Sequence, residues 1–343
     1  MIDTLWGPQP LLSIQSWVGS APGWTPVARL LSLLGDTAGA LVLFSLVRWR
    51  AGRMSALALV GLFMLTGLVD LALWELVGLP RPSEPGIVVR DDPAVSSFPS
   101  GHTVTSLALF GWLARQGQLP RVVPWVVVPL VMLARLYLGA HYLGDVLAGV
   151  LIGLLLLWSH ARLWPVLRRW GERRSFRFWA SNGIGMVATM SAGVFLFGGD
   201  RRAWQVLGYF AGLVVGLLLE HRFLRDRTAT EPHARRFGEM LLGFSVLLAL
   251  LGPAHLGATP PVQGVLYFLA MLWGSVLFPA LLATWHRRGR TDRRRNAWER
   301  SRKTVEARVG GNEDTPGPTP RTTDAPTHAL PRAGHGTPPH EST

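Results

Sequence analysis

Residues 121–164 read RVVPWVVVPLVMLARLYLGAHYLGDVLAGVLIGLLLLWSHARLW, which is two apolar runs, 121–139 and 142–164, separated by a short polar turn. Each run has about the 20 residues that a helix needs to cross a bilayer. Similar runs occur at 26–47, 54–79, 101–117, 177–198, 203–220, 237–253 and 261–285. Because lipid offers the backbone no hydrogen-bond partners, such segments cross it as helices. The sequence therefore predicts an all-α, polytopic helical membrane protein with about nine transmembrane helices.

The composition agrees with an integral membrane protein and excludes several other classes. Hydrophobic residues make up 49% of the 343 residues and charged residues only 16%, against roughly 25% in soluble domains. The chain has no cysteine, so it holds neither disulfides nor thiolate metal sites. Its net charge of +13 comes from arginines between the apolar runs, which indicates membrane topology signals rather than nucleic-acid binding. We expect membrane lipids, and no nucleic acid, among its partners.

The arginines divide unevenly between alternate loops, and this division predicts the orientation. The poorer set of loops holds Arg81, Arg90, Arg201 and Arg202. The richer set holds Arg48, Arg50, Arg53, Arg115, Arg121, Arg162, Arg168, Arg169, Arg173, Arg174, Arg177, Arg222, Arg225, Arg227, Arg235 and Arg236. Because cytoplasmic loops carry the excess of basic residues, the N-terminus is expected outside and the C-terminus in the cytoplasm. In a multi-pass protein of the cytoplasmic (inner) membrane, this orientation places the polar clusters described below at the outer face.

Changes in composition divide the chain into four regions. Residues 1–24 predict an interfacial N-terminal segment, because their mixed apolar stretch is too short to span. Residues 25–165 contain all the polar clusters and predict a membrane-embedded catalytic core, and 177–286 add four further spans. Residues 287–343 are first basic and then rich in Pro, Gly and Thr, which predicts a disordered cytoplasmic tail.

A stripe of small residues marks the third region. Gly208, Gly212, Gly216 and Glu220 recur at four-residue spacing and therefore share one helix face. Small residues at this spacing let helices approach closely, so the stripe predicts helix packing, with a ligand site as the less favoured alternative.

The polar turn inside 121–164 carries the clearest chemical pattern. His141 and Asp145 are four residues apart at the start of a helix, so their side chains can meet. A carboxylate that accepts from one imidazole nitrogen fixes the tautomer and leaves the other nitrogen as a nucleophile. Structural His–Asp pairs are also common, but Arg135 ends the preceding helix close by, and a guanidinium at a membrane boundary suits an anion.

Two further clusters precede the turn. Ser100 and Gly101 open the apolar run from 101, and the exposed N–H groups and dipole of a helix start favour an anion. His102 follows and could protonate a leaving oxygen. Arg81 lies between two prolines, which stiffen its backbone. The alternatives are an ordinary serine N-cap with an incidental histidine, and an interfacial arginine anchor.

Arg-Pro at 81, Pro-Ser-Gly-His at 99–102 and Arg-x5-His-x3-Asp from 135, in this order, resemble the type 2 phosphatidic acid phosphatase superfamily. These are membrane lipid phosphatases whose phosphate site is shared with vanadium haloperoxidases, and the resemblance covers about 25–165. It implies that His141 is the nucleophile and forms a phosphohistidine, that Asp145 orients it, and that His102 is the general acid. It further implies that phosphoryl oxygens are held by Arg81, Arg135, Ser100 and the Gly101 amide, with no metal and no cofactor.

Two positions depart from the family pattern. The family usually has a lysine seven residues before the first arginine, where this chain has Trp74, and a serine before the second, where it has Ala134. The missing lysine removes a phosphate contact, and Arg90 in the same outer loop is the candidate to replace it.

The resemblance implies a phosphatase for a lipid phosphate or lipid diphosphate at the outer face of the membrane. Undecaprenyl diphosphate, phosphatidic acid and phosphatidylglycerophosphate are the substrates that the family suggests. A phosphotransferase with the same site residues is one alternative. A non-catalytic lipid-binding or transport protein is the other, although the sequence contains no pair of broken helices in corresponding halves.

Overall fold

The computed structural model describes residues 5–19, 23–91, 96–224 and 237–310, and the regular secondary structure in these ranges is helical. The helices are α1 (Gln9–Val18), α2 (Trp24–Ser32), α3 (Thr37–Arg50), α4 (Arg53–Val77), α5 (Gly101–Arg115), α6 (Val123–Tyr137), α7 (Leu143–Glu172), α8 (Phe176–Phe197), α9 (Arg201–Leu219), α10 (Phe237–His255), α11 (Pro260–Leu272) and α12 (Phe278–Gly310). π-helical turns follow α9 at Glu220–Leu224 and α11 at Trp273–Leu277. The all-α, polytopic fold expected from the sequence is confirmed.

The number of spans is smaller than expected. In the described ranges six helical segments are long and apolar enough to cross a membrane: α4, α7, α8, α9 with its π turn, α10, and α11 with its continuation to His286. α2 and α3 together form a seventh, bent by 56°. α5 and α6 have 15 residues each, about 22 Å of helix against about 30 Å of hydrocarbon. The prediction of about nine counted the turn residues at the ends of 101–117 and 121–139 as helix.

The bend between α2 and α3 interrupts the predicted span 26–47. Asp36 caps α3, because its carboxylate accepts hydrogen bonds from the backbone N–H groups of Ala38 (2.6 Å) and Gly39 (3.3 Å). Gly35 lies so close to the His102 carbonyl that a Cβ at this position would overlap it. The break therefore brings this part of the chain beside the start of α5. A transporter was disfavoured above because the sequence contains no pair of broken helices in corresponding halves. The single break between α2 and α3 was not predicted there.

The glycine stripe lies where α9 packs along α11. A Cβ at Gly208 would overlap the Gly264 carbonyl, and one at Gly212 would overlap the Phe268 carbonyl. Gly216, one turn further, is buried on the same face. The prediction of close helix packing is therefore confirmed.

Arg48 and Glu220 join the two halves of the chain at the opposite end of the helices from the break. The Arg48 Nη2 atom lies 2.9 Å from Glu220 Oε1, and both side chains are only 3% exposed. Arg48 was predicted to lie in a loop, but it lies in the last turn of α3 and is buried there against a carboxylate from the π turn after α9, 172 residues later. Trp49 follows Arg48, and its indole N–H donates to the Gly274 carbonyl (2.9 Å). The Trp49 ring packs against the Phe278 ring in the same core.

We expect Arg48→Ala to destabilise the protein by about 3–5 kcal/mol, because it removes the positive charge opposite a buried carboxylate. The measurement is the shift of the unfolding transition of the detergent-solubilised protein. Arg50→Ala, two residues on and exposed, is the matched control and should leave the transition unchanged. Arg48→Met combined with Glu220→Leu should recover most of the loss, since the pair can be replaced by apolar groups. Equal transitions for Arg48→Ala and Arg50→Ala would contradict a role for the ion pair.

The chain forms two compact units, Met1–Arg287 and Arg288–Thr343. The basic stretch that begins the predicted tail is helical, since α12 continues to Gly310. The segment predicted to be disordered begins at Val309. Its first two residues end α12, and the rest, 311–343, lies outside the described residues.

Candidate active site

The start of α5 is built as a small polar pocket. Ser100 is fully buried at the N-cap position, and its carbonyl accepts from the N–H groups of Thr103 and Val104 at 3.0 Å each. The Ser100 N–H donates to the Asp145 carbonyl (3.1 Å), which ties the start of α5 to the start of α7. The Thr103 hydroxyl donates to Ser100 Oγ (3.1 Å), so the Ser100 proton can point elsewhere.

Gly101 has neighbours that leave no room for a side chain. A Cβ there would lie 2.8 Å from Asp70 Oδ2 and 3.3 Å from the Trp74 ring. The first N–H groups of α5 are therefore approached closely by a carboxylate and an indole from α4. An N–H group in the first turn of a helix has no partner within its helix, so these groups suit an anion.

His141 is held by the turn between α6 and α7. Gly139 allows this turn, because it has a φ of +68° and a Cβ there would lie 2.7 Å from the Val88 carbonyl. The His141 Nδ1–H donates to the Ser97 carbonyl at 2.7 Å. Because a carbonyl has no proton to give, this bond puts the proton on Nδ1 and leaves the Nε2 lone pair available. Burial, followed by the charges of Arg135 and Arg81, lowers the pKa of the imidazole to about 4, so His141 is neutral at pH 7.

Asp145 lies beside His141 but does not make the hydrogen bond that the sequence predicted. Its Oδ2 atom is 3.8 Å from His141 Nδ1, which is longer than a hydrogen bond. The carboxylate instead accepts from the Ser97 hydroxyl, from the Tyr142 N–H (2.8 Å) and from the Trp6 indole N–H (3.0 Å). Asp145 therefore fixes Ser97, and the Ser97 carbonyl in turn orients the imidazole.

Arg81 is anchored between two loops. Its guanidinium donates to the Ala140 carbonyl (2.9 Å) beside His141 and to the Ser96 carbonyl (3.3 Å). Burial, together with the charges of Arg135 and Arg202, lowers the pKa of Arg81 to about 10, so the group stays charged at neutral pH.

Arg135 is almost completely buried near the end of α6. Its Nη1 atom lies 2.6 Å from Asp91 Oδ2 and 3.4 Å from the Ser32 hydroxyl. Its Nε and Nη2 atoms are also buried but have no hydrogen-bond partner among the residues that the structure describes. Because buried guanidinium N–H groups are normally satisfied, two adjacent donors of this kind point to an anion.

His102 completes the set at the second position of α5. It lies within electrostatic range of Arg81, Arg135 and His141. The structure therefore brings together the seven side chains and amides that the sequence predicted for the site: Arg81, Ser100, Gly101, His102, Arg135, His141 and Asp145. In the described ranges, no three His, Asp or Glu side chains are grouped so that they could hold a metal ion.

Arg90 lies away from the position expected of a lysine substitute. Its guanidinium stacks on the Tyr137 ring at 4.5 Å from the centroid and donates to the Tyr137 carbonyl at 3.0 Å. Trp74, at the lysine position, donates its indole N–H to the Pro99 carbonyl (3.2 Å). These contacts give no support to replacement of the lysine by Arg90.

Several residues of the site had not been found from the sequence. The predicted residues are contacted by Trp6, Ser97 and Asp91, which tertiary packing brings to the site. No local sequence pattern marks these three residues. Asp70 did carry one, because a carboxylate inside the apolar run 54–79 marks a functional site by default. Its Oδ1 atom is buried and has no hydrogen-bond partner in the part of the chain that the structure describes.

Comparisons with known proteins agree with this geometry. The model of the PAP2 superfamily matches residues 55–170, which include every predicted site residue. Decaprenylphosphoryl-5-phosphoribose phosphatase of Mycobacterium tuberculosis (strains CDC 1551 / Oshkosh and ATCC 25618 / H37Rv) is 33% identical over 148 residues, 42% of this chain and 82% of the relative. The protein of that name from Mycolicibacterium smegmatis is 35% identical over 143 residues, 40% of this chain and 78% of the relative. No solved structure matches the chain.

The match to the family, the phosphatase relatives and the helical membrane fold agree with one another. The chain is a membrane lipid phosphatase, a phosphoric ester hydrolase, and it belongs to the PAP2 superfamily.

Proposed function

We propose that the protein hydrolyses its lipid phosphate through a phosphohistidine on His141. The observation that carries this proposal is the hydrogen bond from His141 Nδ1 to the Ser97 carbonyl, which leaves Nε2 as a neutral nucleophile. The nucleophile lies within electrostatic range of Arg135, whose Nε and Nη2 donors lack partners within the described ranges.

The reaction would proceed in two steps. Nε2 of His141 attacks phosphorus, the bond from phosphorus to the leaving oxygen breaks, and His102 gives that oxygen its proton. Arg81, Arg135, Ser100 and the Gly101 amide stabilise the negative charge on the phosphoryl oxygens. Water then attacks the phosphohistidine, its proton passes to His102, and inorganic phosphate leaves with the P–N bond broken.

We propose a polyprenyl-linked sugar phosphate as the substrate class. The support is that the relatives are named for decaprenylphosphoryl-5-phosphoribose, a polyprenyl lipid with a terminal phosphate. Undecaprenyl diphosphate, phosphatidic acid and phosphatidylglycerophosphate, the substrates expected from the family resemblance, are the competing candidates.

The test is phosphate release by the purified protein in detergent, across a panel of these four lipids, with His141→Ala as the blank. We expect the largest kcat/KM for the polyprenyl-linked sugar phosphate, and inhibition by orthovanadate. Phosphate found on an acceptor lipid would instead indicate the phosphotransferase. Lipid binding with no release from any of the four would favour the non-catalytic binding or transport protein.

We further propose that the site faces outward across the cytoplasmic membrane and that the C-terminus is cytoplasmic. The support is the arginine bias of the loops. The site residues lie near the end of α4 and the starts of α5, α7 and α9. The Arg48–Glu220 pair lies at the C-terminal ends of α3 and α9, away from the site.

Single cysteines test this orientation in a chain that has none. We expect Ser83→Cys to react with a membrane-impermeant maleimide in intact cells, and Glu172→Cys to react only after permeabilisation. Both positions are exposed and neither is a glycine with a positive φ, so both substitutions should be tolerated. The reverse pattern would place the active site in the cytoplasm.

A further inference from the structure

Arg202, the second residue of α9, lies outside the region matched by the family but close to the phosphate site. Its Cζ atom is 5.8 Å from the centroid of the Trp74 ring. Trp74 in turn contacts the first residue of α5, since its Cζ2 atom is 3.3 Å from the place of a Cβ at Gly101. α9 therefore brings a guanidinium to the indole that borders the N–H groups of α5.

The charge of Arg202 acts on groups around this pocket. It interacts with Asp70, whose carboxylate lies beside Gly101, and with His102 and Arg135. It also contributes, after burial and Arg135, to lowering the pKa of Arg81.

Three guanidinium groups thus converge at one end of the bundle: Arg81, Arg135 and Arg202. Like charges at a partly buried site repel one another, and an anion bound among them relieves this repulsion. Among the nearby carboxylates, Asp91 pairs with Arg135, Asp145 accepts from Ser97 and Trp6, and Asp36 caps α3. Asp70 lies beside Gly101 and is the carboxylate of α4 that shares this pocket with Arg202. A bound phosphoryl group, with its negative oxygens, is the species whose charge fits this arrangement.

We propose that Arg202 is a phosphate-binding residue, which α9 supplies to the active site from outside the matched family region. It stands over Trp74, the position at which the family usually has a lysine, and it takes the part that had been considered for Arg90. This inference rests on the proposed phosphatase function of the same site. It gives the second half of the chain a direct contribution to substrate binding.

A purely structural role for Arg202, as a cation–π partner of Trp74, is the competing interpretation. The two differ in what they predict for an anion that contains no lipid. A phosphate ligand contributes to the binding of orthovanadate, whereas a packing residue contributes to stability alone.

The experiment compares Arg202→Ala with Arg201→Ala in the full-length, detergent-solubilised protein. Arg201 is the adjacent residue, is exposed and carries the same charge, so it is the matched control. We expect Arg202→Ala to lower kcat/KM by about 10- to 100-fold and to raise the inhibition constant of orthovanadate by a similar factor. Arg201→Ala should change both values by less than about twofold. Arg202→Lys should keep part of the activity, and Trp74→Lys should restore part of it to Arg202→Ala.

The outcomes separate the two proposals. Equal kinetics for Arg202→Ala and Arg201→Ala would overturn the role of Arg202 and leave the phosphatase proposal intact. A loss of activity with an unchanged inhibition constant for orthovanadate would also overturn it, in favour of packing. If the wild-type protein released no phosphate, the function proposal would fail. Thermal stabilisation by orthovanadate in the wild type, its loss in Arg202→Ala and its partial retention in Arg202→Lys would then decide on Arg202 without turnover.

Discussion

His141→Ala should abolish phosphate release, with kcat/KM falling by more than about 10⁴-fold, because no other group is placed to form the covalent intermediate at this site. The imidazole is buried, held in one tautomer by the Ser97 carbonyl and neutral at pH 7. Alanine removes the nucleophile but keeps the backbone of the turn. The measurement is phosphate release over a range of substrate concentrations, which gives kcat/KM, together with alkaline quenching to trap a phosphoenzyme that is labile in acid.

The matched control for this variant is His160→Ala. His160 is also buried and lies on α7, about 22 Å along the helix from Asp145. We expect this control to keep its activity and its trapped phosphoenzyme. Residual activity of His141→Ala within about tenfold of the wild type, roughly 1.4 kcal/mol of barrier, would reject the nucleophile role.

Arg135→Ala should have the second largest effect, a fall in kcat/KM of roughly 100- to 10,000-fold. In the described part of the chain its buried Nε and Nη2 atoms meet no acceptor, so we expect both to bind phosphoryl oxygens. Two charge-assisted hydrogen bonds of about 1.5–3 kcal/mol each account for this range. Arg135→Lys keeps the charge but not the planar pair of donors, so it should recover only part of the loss. The measurement is kcat/KM with the best lipid of the panel.

Arg90→Ala is the control for Arg135, because the Arg90 guanidinium is engaged with Tyr137 instead of the pocket. We expect it to retain activity within about twofold. Full activity of Arg135→Lys would show that a charge alone is required there, and full activity of Arg135→Ala would remove this residue from the phosphate site.

The sequence predicted the fold class and the convergence of the site residues for a simple physical reason. Apolar runs of membrane length have defined ends, and polar residues at ends on the same side of a membrane must lie near one another. Arg81, Ser100 and His141 all lie at such ends. The orientation of His141 could not be predicted in the same way, because its acceptor is a backbone carbonyl in a loop.

Most of the contacts that the sequence did not predict join residues that are distant in sequence. Trp6 and Asp145 are 139 residues apart, and Arg48 and Glu220 are 172 apart. An arginine at the end of an apolar run has the same local pattern whether it faces solvent or a buried carboxylate. Asp36 is a different case, because a capping residue inside the run 26–47 was a local sign of the break between α2 and α3.

The packing of Trp49 has a consequence for how such a protein can change in evolution. This side chain fills a space bordered by Gly243 and Phe278, and its neighbour Arg48 is neutralised by Glu220. The mycobacterial relatives have little chain left beyond the matched 78–82%, too little for four more helices. Here, removal of α9–α11 would uncover Trp49 and leave Arg48 without the carboxylate that neutralises it. In this chain the helices beyond the matched region therefore form part of the core of the first half, so a version shortened to the length of these relatives would need other residues at 48 and 49.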